Sequence, residues 1–129
     1  MFISQLSQPQ KQALMCLAHT VAVSDGDLQT GEQMMMAQMR LEMGLPEDFE
    51  PSYLAPAGLE MVFNTRRTRI IALISLIRLG YADGAYEIEE QCLLTDLADA
   101  FEVDRAELQR VENWVRRLLA LQQEAIDLM

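Results

Sequence analysis

The sequence predicts an all-α fold, and three features predict it. Apolar residues recur at the helical period along most of the chain, no stretch shows the alternation of a half-buried strand, and a helix, Asp-Gly loop, helix pattern occurs twice. The two copies lie 58 residues apart, with Asp25-Gly26 matched by Asp83-Gly84 and Glu32-Gln33 by Glu90-Gln91. The architecture expected is one domain, residues 1–129, made of two pseudo-symmetric helix-loop-helix units (about 13–45 and 71–103) and a long C-terminal helix.

Helix 1 is expected from about Pro9 to Ser24, because proline suits a first turn and Ala13, Leu14, Leu17, Ala18, Val21 and Ala22 follow at helical spacing. Gly26 supplies the left-handed backbone that stops it. Helix 2 follows the loop, with Glu32 in its first turn where the helix dipole favours a carboxylate, and ends near Gly44. Thr30 with Gln33, or Gln29 with Glu32, would cap its start.

Residues 45–58 carry Pro46, Pro51 and Pro56 among acids, which reads as a loop, and Leu59 to Phe63 as a short helical turn. The second unit repeats the scheme: a helix from about Thr65 to Ala82, the loop at Gly84, and a helix ending near Glu102. Asp104 and Glu107 resemble a capping box opening the last helix, with Leu108, Val111, Val115, Leu118 and Leu119 on one face.

Half of the 129 residues are hydrophobic, enough to bury a continuous core. The longest apolar stretch, Ile70 to Ile77, is broken by Ser75 and flanked by Arg69 and Arg78, so membrane insertion is not expected. The start of the chain has no signal-peptide pattern, which points to the cytoplasm. A formal charge of -10 argues against nucleic acid and favours divalent cations or basic partners.

Of the Met34-Met35-Met36 run and the methionines that follow it, Met35, Met36, Met39 and Met43 are read as core, since Leu93, Leu94, Leu97 and Phe101 occupy their columns in the second unit. Cys16 and Cys92, each among apolar neighbours, are expected reduced and buried. Cys16 and His19 share a helix face, but a soft-metal site needs more such ligands than one histidine and two cysteines provide.

The Asp-Gly loops carry the chemistry. Counted from Asp25, a calmodulin-type loop would need glycine where Thr30 stands and glutamate where Met36 stands; counted from Asp83, Ile88 and Leu94 fail in the same way. A different cation geometry would use Asp25, Asp27 and Glu32 in the first loop and Asp83, Glu87, Glu89 and Glu90 in the second. The competing reading is that these residues only cap and punctuate helices.

Residues 21–32 (VAVSDGDLQTGE) and 80–90 (GYADGAYEIEE) resemble the paired helix-Asp-Gly-helix elements of the TerB-like tellurite-resistance proteins. The element is also similar to the helical domain of membrane-anchored DnaJ-type co-chaperones. This resemblance implies acidic loops that bind a divalent cation (calcium, magnesium or zinc), here through Asp25 and Glu32, and Asp83 and Glu90, with Asp27, Glu87 and Glu89 secondary. It also implies a bacterial stress-response role as a component of a membrane-associated complex. Ala85 stands opposite Asp27, so the two loops are not equivalent.

The expected function is a cytoplasmic interaction or scaffolding module rather than an enzyme. The alternatives are a metal-dependent hydrolase using the loop carboxylates and a structural homodimer. Arg66, Arg67, Arg69, Arg105, Arg110, Arg116 and Arg117 are read as solvated faces, or else as a docking patch for an acidic partner. Trp114 is expected in the core, with the apolar tail Ala125 to Met129 a candidate partner surface.

Overall fold

Five helices make up the described part of the chain: α1 (Gln8–Ala22), α2 (Thr30–Met43), α3 (Arg66–Gly80), α4 (Ile88–Ala100) and α5 (Arg105–Leu128). The computed structural model describes residues 2–23, 30–46, 48–52, 54, 57–82 and 88–129, with the side chains of 30–32 and 88–89 also left outside the description. Short 3-10 turns at Ile3–Gln5 and Leu59–Met61 precede α1 and α3. The all-α expectation holds, and no helix of the described residues is long and apolar enough to cross a membrane.

The 58-residue offset seen in sequence reappears in helix boundaries and caps. Helices α1 and α3 each run for 15 residues from starts at Gln8 and Arg66. Ser7 and Thr65 cap them in the same way, each side chain accepting the backbone N–H three residues on while that residue's side chain reaches back. At the other end the N–H groups of Val23 and Tyr81 donate to His19 and Ile77. The equivalence therefore begins at Ser7, earlier than residue 13 where apolar matching starts.

Helices α2 and α4 stop by one shared device. Gly44 (φ 64°) and Glu102 (φ 60°) both adopt the left-handed conformation. Gly44 N–H donates to Leu41 and Leu45 N–H to Arg40, while Glu102 N–H donates to Asp99 and Val103 N–H to Ala98. This is the Schellman closure, in which the residues flanking the left-handed position pack inward. Met43, Leu45, Phe101 and Val103 are all buried.

A non-glycine residue pays a steric penalty in this conformation. Glu102→Gly should therefore stabilise the fold by about 0.5–1 kcal/mol, and Gly44→Ala should cost about 1 kcal/mol although a Cβ there meets nothing within 4 Å. Urea midpoints of the two variants check both signs.

Helix α3 is the centre of the assembly, packing on α1, α2, α4 and α5. A helix covered on several sides must be apolar on several sides. Ile71, Ala72, Leu73, Leu76, Ile77 and Leu79 are all buried, and Ser75, the one polar residue among them, satisfies its hydroxyl on the Ile71 carbonyl at 2.9 Å.

The methionine expectation holds in detail: Met36, Met39 and Met43 are buried, Met35 packs on the core from its edge, and Met34 is 70% exposed. Cys92 departs from expectation. It is exposed, because the inward face of α4 is set by Glu90, Leu94, Leu97 and Ala98, and the Met34/Cys92 column points outward in both halves. Cys16 is half-buried, and both thiols are free.

Two arginines tie irregular segments to helices. Arg40 donates from Nη1 to the carbonyls of Pro46 (3.1 Å) and Phe49 (2.8 Å), holding the segment after α2. Arg69 donates to three carbonyls: Nε to Phe63 at 2.6 Å, Nη2 to Glu60 at 2.9 Å and Nη1 to Phe101 at 3.1 Å. The expectation of a solvated or docking role for Arg69 is thus corrected, since its donors are spent on the protein's own backbone.

Candidate functional site: an arginine-rimmed groove between α3 and α5

The sequence-nominated loop residues fall largely outside the description. Asp25, Asp27, Asp83 and Glu87 lie outside the described residues, and Glu32 and Glu89 lie in the first turns of α2 and α4 with side chains outside it. Glu90, the third residue of α4, is buried at 3% exposure. Among the described residues no group of three His, Cys, Asp or Glu side chains converges as a metal site would require.

A different feature emerges where α3 and α5 pack together. Asp104 caps α5 by accepting the Glu107 N–H at 2.8 Å, as expected. The Glu107 carboxylate, expected to close a capping box, instead pairs with Arg66 at the start of α3. Leu108, Val111 and Val115 are the buried face of α5.

Beside that face lies a groove of about 770 Å3 lined by Phe2, Ile70, Ile74, Val111 and Trp114. Phe2 and Trp114 form its aromatic end, their ring centroids 6.4 Å apart and tilted by 44°. Trp114 is therefore half-buried, packed against the edge of the core on a groove wall, while Val115 beside it takes the fully inward position. The apolar surface continues along α5 through Leu118 and Leu121.

Arg66, Arg110 and Arg117 rim this groove, and Arg67 adjoins it beside Gln5, to which its Nε donates at 2.7 Å. Four of the ten basic residues of a chain with a net charge of -10 thus surround one apolar surface. On the opposite side of α5, Arg116 Nε donates to the Tyr81 hydroxyl at 2.9 Å, fastening α5 to the end of α3. Burial pushes the neighbouring Glu112 carboxyl above the ordinary glutamate range, and the Arg116 guanidinium draws it partly back.

Guanidinium groups around a half-buried tryptophan and isoleucines suit recognition of a surface that is itself apolar and flanked by acids. The signal legible in sequence was the clustering of arginines at the start of α3 and along α5. What sequence did not supply was Phe2, Ile70 and Ile74, whose place in the groove depends on how α3 and α5 cross.

No protein-family model matches the chain, and comparison with curated proteins and with solved structures finds no match.

Proposed function

We propose that this chain is a protein-docking module rather than an enzyme, which holds a helical partner in the α3–α5 groove. The observation that supports this is the pairing of an open apolar groove with an arginine rim on an otherwise acidic chain. An amphipathic helix lays apolar side chains at i, i+3, i+4 and i+7 into such a groove, and flanking carboxylates meet the rim. The ionisable lining consists of Arg66, Arg110, Arg117 and a Glu107 already paired with Arg66, a set suited to charge recognition rather than proton transfer.

The TerB-like resemblance of the Asp-Gly segments supplies the biological setting: a bacterial stress-response or tellurite-resistance assembly at the cytoplasmic side of a membrane. It also supplies a regulator, a divalent cation held by Asp25 and Glu32 or by Asp83 and Glu90. Residues 83–87 join α3 to α4, and Tyr81 just before them holds Arg116 of α5. Cation binding there would bias the two helices that form the groove.

Trp114 is the sole tryptophan, so its emission reports on the groove. Titration with a designed amphipathic helix bearing leucines on one face and flanking glutamates should give a saturable blue shift. The shift should weaken with salt and be lost in Arg66→Glu/Arg110→Glu. Adding calcium, magnesium or zinc should alter the affinity, and Asp25→Asn/Asp83→Asn should abolish that cation effect. Emission unmoved by the peptide in a sample shown to be monomeric removes the docking role; peptide binding indifferent to all three cations removes the gate.

A further inference from the structure

We infer that the occupant of the α3–α5 groove is the distal half of α5 from a second copy of this chain, laid antiparallel to the first. This rests on the docking role proposed above and names its partner. Helix α5 has 24 residues, about 36 Å of helix at 1.5 Å per residue, yet its buried residues end at Val115. Beyond that point it still presents large apolar side chains: Leu121 is 62% exposed, Ile126 61% and Leu128 88%. A soluble helix with no further partner has polar residues at such positions.

The spacing of these residues has a specific meaning. Val111, Trp114, Leu118, Leu121, Ala125 and Leu128 alternate three and four residues apart, the a/d seam of a two-helix coiled coil. The proximal part of this seam lies on the groove wall, where Val111, Trp114, Leu118 and Leu121 line its apolar surface. The distal part runs off the body of the protein. One stripe thus serves as receptor at one end and as ligand at the other, the self-complementarity that a two-fold dimer requires.

Charge divides along the same helix. Residues 105–117 carry Arg105, Arg110, Arg116 and Arg117 against Glu107 and Glu112, whereas residues 118–129 carry Glu124 and Asp127 and no base. Antiparallel pairing centred between Leu118 and Leu121 sets Val111 against the second copy's Leu128, Trp114 against its Ala125, and Leu118 against its Leu121. Glu124 of the second copy then falls between Arg110 and Arg117, which occupy the same flank of the seam seven residues apart. A parallel arrangement would bring the two net-basic proximal halves together and the two acidic distal halves together, and is disfavoured. The tryptophan meets an alanine in this register, a large residue facing a small one.

Sedimentation equilibrium of the full chain tests this. The wild type should be a dimer whose dissociation constant rises at least about tenfold in Leu121→Glu and in Leu128→Glu. Both residues are exposed in the single chain, so its folding is not at stake. Arg110→Glu/Arg117→Glu and Glu124→Arg should each weaken the dimer, while the two changes combined should restore it and the blue-shifted Trp114 emission that accompanies it. A chain that stays monomeric at millimolar concentration, or a dimer indifferent to these substitutions, overturns the inference. If the monomeric chain still binds the acidic amphipathic peptide, the groove docks a different protein and the docking role survives; if it binds neither, both fall.

Discussion

Phe101→Ala is expected to lower the unfolding free energy by about 4 kcal/mol, read as a large drop in the urea midpoint with an unchanged slope. The Phe101 and Phe63 rings meet edge to face, with centroids 5.5 Å apart and planes at 64°, and both side chains are essentially inaccessible to solvent. Truncation removes the transfer energy of a phenyl group and leaves a void bounded by Phe63, which is held from behind by the Arg69 contact to its own carbonyl. A site so constrained collapses little, so the cavity term adds to the transfer term. Phe101 is also the residue that follows Ala100, the last of α4, immediately before left-handed Glu102. Phe101→Leu, which keeps much of the volume, should cost less than half as much. A loss of under about 1 kcal/mol for the alanine variant would show that the two rings do not anchor the junction of α3, α4 and the segment before α3.

The helices, the Asp104 cap and the stops at Gly44 and Glu102 were legible because they depend on local chemistry. The Ser7 and Thr65 capping boxes were not foreseen, and the cap expected for α2 and the stops expected at Gly26 and Gly84 lie outside the described residues. Pro9, the Gly44 stop and the apolar spacing of Ile71 to Leu79 each act within one or two turns, so the sequence positions of α1 to α4 follow from neighbours. Repetition extended that reach: the stop at Glu102, which no glycine marks, is foreseeable because Gly44 stands 58 residues earlier. The methionines of α2 were assignable to the core for the same reason, through the leucines of α4. Cys92 was not, because its neighbours in sequence are apolar while its column in the repeat is an outward one, already indicated by Met34.

The groove was only half legible, and the missing half is tertiary. Arginines at 66, 67, 110 and 117 look alike in sequence to those at 69 and 116. They differ in what the packing of α3 brings near them: backbone carbonyls for Arg69, the Tyr81 hydroxyl for Arg116, and the rim of an apolar groove for the other four, where Arg66 also meets Glu107 and Arg67 meets Gln5. Trp114 beside Val115 posed the same ambiguity, since a helix carrying apolar residues on more than one stripe does not state which stripe faces its own body. The crossing of α3 and α5 selects Leu108, Val111 and Val115, and by that choice leaves Trp114, Leu118 and Leu121 to face something else.

Arg69→Met should cost about 3 kcal/mol, although the substitution keeps the aliphatic stem and alters no residue of the apolar core. Three carbonyls, from Glu60, Phe63 and Phe101, converge on one guanidinium, and no single neutral donor replaces them. These acceptors belong to the turn before α3 and the end of α4, so the side chain joins segments about 40 residues apart in sequence that also meet through the Phe63–Phe101 ring contact. The guanidinium also lies 6.0 Å from the Phe101 ring centroid, a contact the thioether does not reproduce electrostatically. Arg69→Lys should recover little, because an ammonium cannot match a planar fork to three separated oxygens. Arg67→Met, two residues away and exposed, is the control, with an expected change within about 0.5 kcal/mol. Unfolding midpoints for the three variants give the comparison, and hydrogen exchange locates the effect: the Val62 and Phe63 amides, bonded to the Leu59 carbonyl beside the Arg69 contact, should lose protection first. Equal midpoints for Arg69→Met and Arg67→Met would mean that water satisfies the three carbonyls as well as the arginine does.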